Sequence, residues 1–113
     1  MKVDVSFCTF ADRALLDGNW RPARMLVADR ANGAFADVSG TAWTGGSRVT
    51  VPAGKTHALI AVPYGAVRVA VGADPTATED GTSNGGRLII GPIVEPVAVE
   101  EGQLISIIEV SMD

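Results

Sequence analysis

The sequence predicts an all-β fold: a single domain over residues 1–113, built as an antiparallel β-sandwich or small β-barrel of the jelly-roll or immunoglobulin-like kind. Three observations predict it. Apolar and polar residues alternate with period two wherever a period can be read, which is the pattern of strands and not of helices. Thirteen glycines and six prolines in 113 residues interrupt the chain too often for a bundle of long helices. Hydrophobic residues make up 47%, enough for a core and outside the composition of disordered chains. A chain of this length has room for one core only.

Taken in order, Val3, Val5 and Phe7 alternate with Asp4, Ser6 and Cys8 and predict a strand over 2–8. The run Ala11 to Leu16, closed by Gly18, predicts a short helix over 11–16. Strands follow at 23–28 and 34–38, separated by the Asn32-Gly33 turn signal, and a strand containing Pro22 would have to lie at a sheet edge. Val49 and Val51 mark 47–51, and Ala58 to Val62 mark 57–62. Val67, Val69 and Val71 alternate through 66–72. Leu88 to Ile90 mark 87–91, Val97 and Val99 mark 96–99, and Leu104 to Ile108 mark 103–110. That makes about seven to nine short strands, with β-branched residues suited to a pleated surface. The other reversals fall at Asp17-Gly18, Gly45-Gly46, Pro52-Ala53-Gly54, Pro63-Tyr64-Gly65, Asn84-Gly85-Gly86 and Glu101-Gly102.

The predicted core faces carry Val5, Phe7, Val49, Val51, Leu59, Val67, Val69, Val71, Val99, Ile105 and Ile107. The runs 58–62, 88–90 and 104–108 are apolar on both faces, so each needs a second cover, either a loop or another subunit. Residues 73–86, ADPTATEDGTSNGG, form the longest polar stretch and carry no large apolar residue. Such a loop is expected to be mobile or to be ordered by a neighbouring subunit, with Asp74, Glu79 and Asp80 as candidate contacts.

Net charge is −4, and the nine basic residues are scattered singly. No basic cluster tracks a phosphate backbone or an anionic membrane surface, so neither nucleic acid nor membrane is an expected partner. No apolar run reaches membrane-span length, and Met1-Lys2-Val3-Asp4 lacks the apolar region of a signal peptide.

Catalytic and metal chemistry find little to work with. His57 is the single histidine; it opens an apolar strand, and no G-x-S-x-G nucleophile elbow is present. It reads as a strand-end histidine. Cys8, the single cysteine, forms no internal disulfide and reads as a small buried filler. Asp74, Glu79, Asp80 and Asn84 do not follow the EF-hand spacing and read as a solvated acidic loop. Glu100 and Glu101 are neighbours at a turn, on opposite sides of the chain, and cannot flank one bond as a glycosidase pair must. No catalytic residue, cofactor or metal is expected. The six aromatics, Trp20, Trp43, Tyr64, Phe7, Phe10 and Phe35, read mostly as core anchors. Trp43, set in the flexible stretch Gly40 to Gly46, is a candidate interface anchor, together with Leu88 and Ile90 on a strand greasy on both faces.

Residues 48–110 hold a VTVPAG strand and turn, a VRVAVGADPTAT strand running into the polar loop, and a closing PVAVEEGQLISII. In this strand-and-turn grammar the chain resembles the small β-rich virion proteins of tailed bacteriophages. The resemblance implies a non-enzymatic structural role on the virion, as a capsid decoration (cement) protein or a tail or spike accessory. The partners it implies are the major capsid protein or other virion subunits and further copies of the chain. Two other classes stay open. A carbohydrate- or host-surface-binding module would show a surface row of aromatics, and a small enzyme would show a deep pocket joining His57 to a serine or an acid.

Overall fold

The computed structural model describes the backbone of residues 1–16, 19–82 and 85–111, and side chains outside residues 10–35. The Asp17-Gly18 turn, Asn84, and the packing of Phe10, Trp20 and Phe35 lie outside the described residues. Among the described residues eight strands run in the order β1 (Lys2–Leu16), β2 (Asn19–Asp37), β3 (Val49–Thr50), β4 (His57–Val62), β5 (Ala66–Gly72), β6 (Arg87–Ile90), β7 (Ile93–Ala98) and β8 (Leu104–Val110). They form two four-stranded sheets, ordered β2-β1-β4-β7 and β3-β8-β5-β6. Every pairing is antiparallel. The two sheets pack face to face as a small β-sandwich.

The core is the set of side chains that period two sends inward. Val3, Val5 and Phe7 of β1 and Ala58, Ile60 and Val62 of β4 meet Val67, Val69, Ile89, Ile105 and Ile107 of the second sheet, all buried. Each large aliphatic side chain removed from water there contributes about 1.5–3 kcal/mol before entropy is counted. Val51 and Val99 are buried with them, and Val49 and Val71 pack partly buried against the same cluster. Leu59, expected in the core, lies on the opposite face of β4, whose burial alternates to favour Ala58, Ile60 and Val62. In a run apolar on both faces, hydropathy alone does not set the phase.

The first fifty residues depart furthest from expectation. Residues 11–16 continue β1 and are not helical, and the segments 23–28 and 34–38 belong to one strand, β2. The Asn32-Gly33 doublet lies within β2 at a break in register, not at a turn between two strands. While β1 advances from Val5 to Phe7, its partner on β2 jumps from Ala34 to Asp29. Pro22 lies in β2, which is an edge strand, as its missing N–H requires. At the other edge of the same sheet, β7 carries Pro96.

Beyond Cys8, β1 leaves the sheet's interior. The β4 partners stop at Cys8↔His57, while pairing with β2 continues to Leu16↔Asn19. Residues 9–16 and 19–27 therefore form a two-stranded arm past the end of the sandwich. At about 3.3 Å per residue, an eight-residue extension adds about 26 Å. The longest dimension of the molecule is 51 Å against 28 and 24 Å across it.

The two open sides of the sandwich are closed differently. On the β2/β3 side the chain crosses between sheets through residues 38–44. Val38 N–H donates to Met1 O at 2.8 Å, Glu109 N–H to Ser39 O at 2.8 Å, and Trp43 N–H to Ile107 O at 3.2 Å. Trp43 is buried in the main core and its indole N–H donates to the Asp37 carbonyl at 3.0 Å. It is a core anchor of the single chain, and the expectation of an exposed interface indole is corrected. On the β6/β7 side the crossing is only the Gly91-Pro92 turn.

Candidate functional site

That thinly closed side carries the exposed apolar surface. Tyr64 is 60% exposed, Val94 59%, Ile90 52%, Ile93 42% and Leu88 40%. The register explains why. On β6, Ile89 points into the core opposite Val67, so its neighbours Leu88 and Ile90 face outward, paired with Arg68 and Ala66. On β7, Val94 sits opposite Ala61 on the outer face of the first sheet. Both strands are the last in their sheets. The turn at Pro63-Tyr64-Gly65 packs against the turn at Gly91-Pro92, with Gly91 N–H donating to Gly65 O at 2.8 Å. A Cβ at Gly91 would stand 2.6 Å from the Val62 carbonyl oxygen, so the approach of the two turns depends on glycine. A groove of about 370 Å³ runs beside them, lined by Ala61, Val62, Pro63, Pro92, Ile93 and Val94, with Lys2 and Asp4 at its margin.

Of the residues expected at an interface, Leu88 and Ile90 are therefore on the exposed surface and Trp43 is not. Ile93, Val94 and Tyr64 were missed. Their exposure follows from which strands end each sheet, and no local pattern encodes that order.

The acidic residues fall into two places. Asp74 accepts from the Arg48 guanidinium at 2.6 Å, which also donates to Pro75 O at 3.1 Å. Glu79 and Asp80 sit near the end of β8, where they line a shallow depression with Val110 and Ser111, and Glu109 adjoins Glu79 and Ser111. Ser111 N–H donates to the Glu79 carboxylate at 3.1 Å. The Asp80 carboxylate accepts from Thr82 N–H at 3.0 Å and from the Thr82 hydroxyl at 2.9 Å. These bonds hold its pKa below the usual carboxylate value.

The loop itself is tied down. Ala77 is buried with Ala70 and Ile108 on the outer face of the second sheet, and its N–H donates to the Ser106 hydroxyl at 3.0 Å. Arg68 donates to Glu79 O at 2.9 Å and Gly86 O at 3.2 Å. The expectation of a stretch without an apolar anchor is corrected: a buried alanine serves as the anchor. The same packing supplies the second cover that 104–108 needed, and it comes from this chain's own loop.

His57 has its Nδ1 at 2.9 Å from the Thr56 hydroxyl, at the arm end of the sandwich. Cys8 is a buried free thiol whose Sγ lies 3.6 Å from the His57 carbonyl oxygen. Burial pushes its pKa up, and Lys55 pulls weakly the other way. Among the described residues no three His, Cys, Asp or Glu side chains are grouped to hold a metal ion. No protein-family model, curated protein or solved structure matches the chain.

Proposed function

We propose that the protein is a non-enzymatic structural subunit of a bacteriophage virion, a capsid decoration protein that stabilises the head. The observation that carries this reading is the exposed apolar end formed by Tyr64, Ile90, Pro92, Ile93 and Val94. Contiguous apolar surface on an open sheet edge is an association surface, because leaving it in water is costly and leaves the edge available to other chains. A subunit of a symmetric assembly buries such a surface against a neighbour. On a repeating shell many weak contacts add through avidity. The resemblance of residues 48–110 to the strand-and-turn grammar of small virion proteins supports reading that assembly as a virion. A protein that binds the assembled shell and not its free subunits stabilises that shell by mass action.

The test is made on particles. The protein is expected at a fixed ratio to the major shell subunit in purified virions, and particles lacking it should rupture at lower temperature or milder osmotic shock. Its absence from purified particles, or a catalytic turnover that disappears in His57→Ala, overturns the proposal.

A further inference from the structure

We infer that the partner covering this apolar end is the two-stranded arm of a second copy of the chain. The inference rests on reading the end as a subunit contact, and it names what occupies it.

The argument starts from direction. β1 runs from the apolar end, where Asp4 pairs with Ala61, to the other end, where Cys8 pairs with His57, and continues outward as the arm. The arm and the apolar surface therefore lie at opposite ends of one molecule 51 Å long. The arm is also incomplete as a folded unit. An isolated two-stranded ribbon is marginal in water and needs a third strand or an apolar surface to pack on. Among the described strands none joins it beyond Cys8. Ten of the nineteen residues in 9–27 are apolar.

Charge points to the same occupant. Residues 9–27 contain Arg13, Arg21 and Arg24 against Asp12 and Asp17, a net charge of +1; since the whole chain carries −4, the remainder carries −5. At the apolar end, Glu79, Asp80 and Glu109 gather beside the last residues of β8. That strand end belongs with the apolar patch, because Ala66 pairs with both Val110 and Ile90. Of the cations at this end, Arg68 donates to the Glu79 and Gly86 carbonyls, and Lys2, beside the groove, is ion-paired with Asp37 at 3.0 Å. A greasy arm with an arginine excess thus faces, on the next copy, a greasy end with an acidic margin. The contact is head-to-tail, so copies joined this way close into a ring or continue as a chain.

The experiment is sedimentation velocity on the full chain over a range of concentration and salt. Wild type is expected to associate, more weakly as salt rises. Arg13→Glu/Arg21→Glu/Arg24→Glu and, separately, Glu79→Arg/Glu109→Arg should each weaken association by on the order of tenfold or more while keeping the far-ultraviolet spectrum of a folded β-protein. Mixing the two charge-reversed proteins should restore association, since each then meets a matching partner. Ile93→Asp should abolish association in both settings. A wild type that stays monomeric at every concentration overturns the inference, as does a mixture that fails to recover. If either charge-reversed protein does not fold, a wild-type association insensitive to salt overturns it instead. Association through the arm by a protein absent from particles would leave this inference standing and remove the virion reading, so the two fail separately.

Discussion

Ser106 is fully buried, yet its hydroxyl joins three parts of the chain. It donates to the Trp43 carbonyl at 2.6 Å and accepts from Ala77 N–H at 3.0 Å, so β8 holds both the 38–44 crossing and the 73–86 loop. Ser106→Ala leaves two buried backbone groups without their partner, at about 1–3 kcal/mol each. The expected fall in Tm is roughly 8–25 °C, read by calorimetry. A change of a degree or less would show that water replaces the hydroxyl at no cost. Cys8 gives a prediction in pH. Its thiol is held protonated by burial to a pH above its ordinary value of 9.0. Below that value folded and unfolded chains bind the proton equally. As pH rises through it the unfolded chain ionises first, so stability falls. Urea melts between pH 8 and pH 10.5 should therefore show a steeper decline for wild type than for Cys8→Ala, and equal slopes would refute the assignment.

At the scale of elements, β4 and β5 are paired on both sides, whereas the arm has one neighbour per strand. Amide hydrogen exchange in dilute protein should be slowest in β4 and β5 and faster by at least about a hundredfold in residues 9–16 and 19–27. Concentrating the protein should slow the arm alone; uniform protection in dilute solution would mean that the arm packs on its own chain. The 73–86 loop ends at Gly86, where φ is 114° and a Cβ would stand 2.6 Å from the Val69 carbonyl carbon. Gly86→Ala is expected to cost about 2 kcal/mol or more in a urea melt; a cost under half a kcal/mol would show that the loop can shift. These elements also show what the sequence makes legible. The bounds of His57–Val62 and Ala66–Gly72 are readable to the residue, because Pro63 and Gly65 punctuate the chain between them, although the inward face of the first is not. Residues 11–16 mislead because Ala-Leu-Leu followed by glycine is good local helix grammar, and long-range pairing with β2 overrides it. Asn32-Gly33 signals a reversal and instead lies within β2 at a break in register, for the same reason. Ala77 is invisible as an anchor since its role depends on Ala70 and Ile108, which only the fold brings near. Leu88 and Ile90 were readable as surplus apolar surface, while Ile93, Val94 and Tyr64 join them only through the order of strands.

Over the whole molecule, one side of the sandwich is sewn shut by residues 38–44 and the other is left greasy and open. Open sheet edges of that kind are templates for fibrous stacking, in which any copy can add its backbone to any other. Here each of the four edge strands is a poor template. β2 contains Pro22 and β7 contains Pro96, while β3 has two residues and β6 four. A proline interrupts the ladder that a growing cross-β stack would need, and two or four residues offer little length to copy. The side chains at the open end can thus meet a partner while the backbone beneath them resists being copied. Pro96→Val would repair the ladder of β7. Agitated solutions of that variant should form thioflavin-positive fibrils sooner than wild type under identical conditions, and equal lag times would show that something other than the edge prolines keeps the chain from stacking.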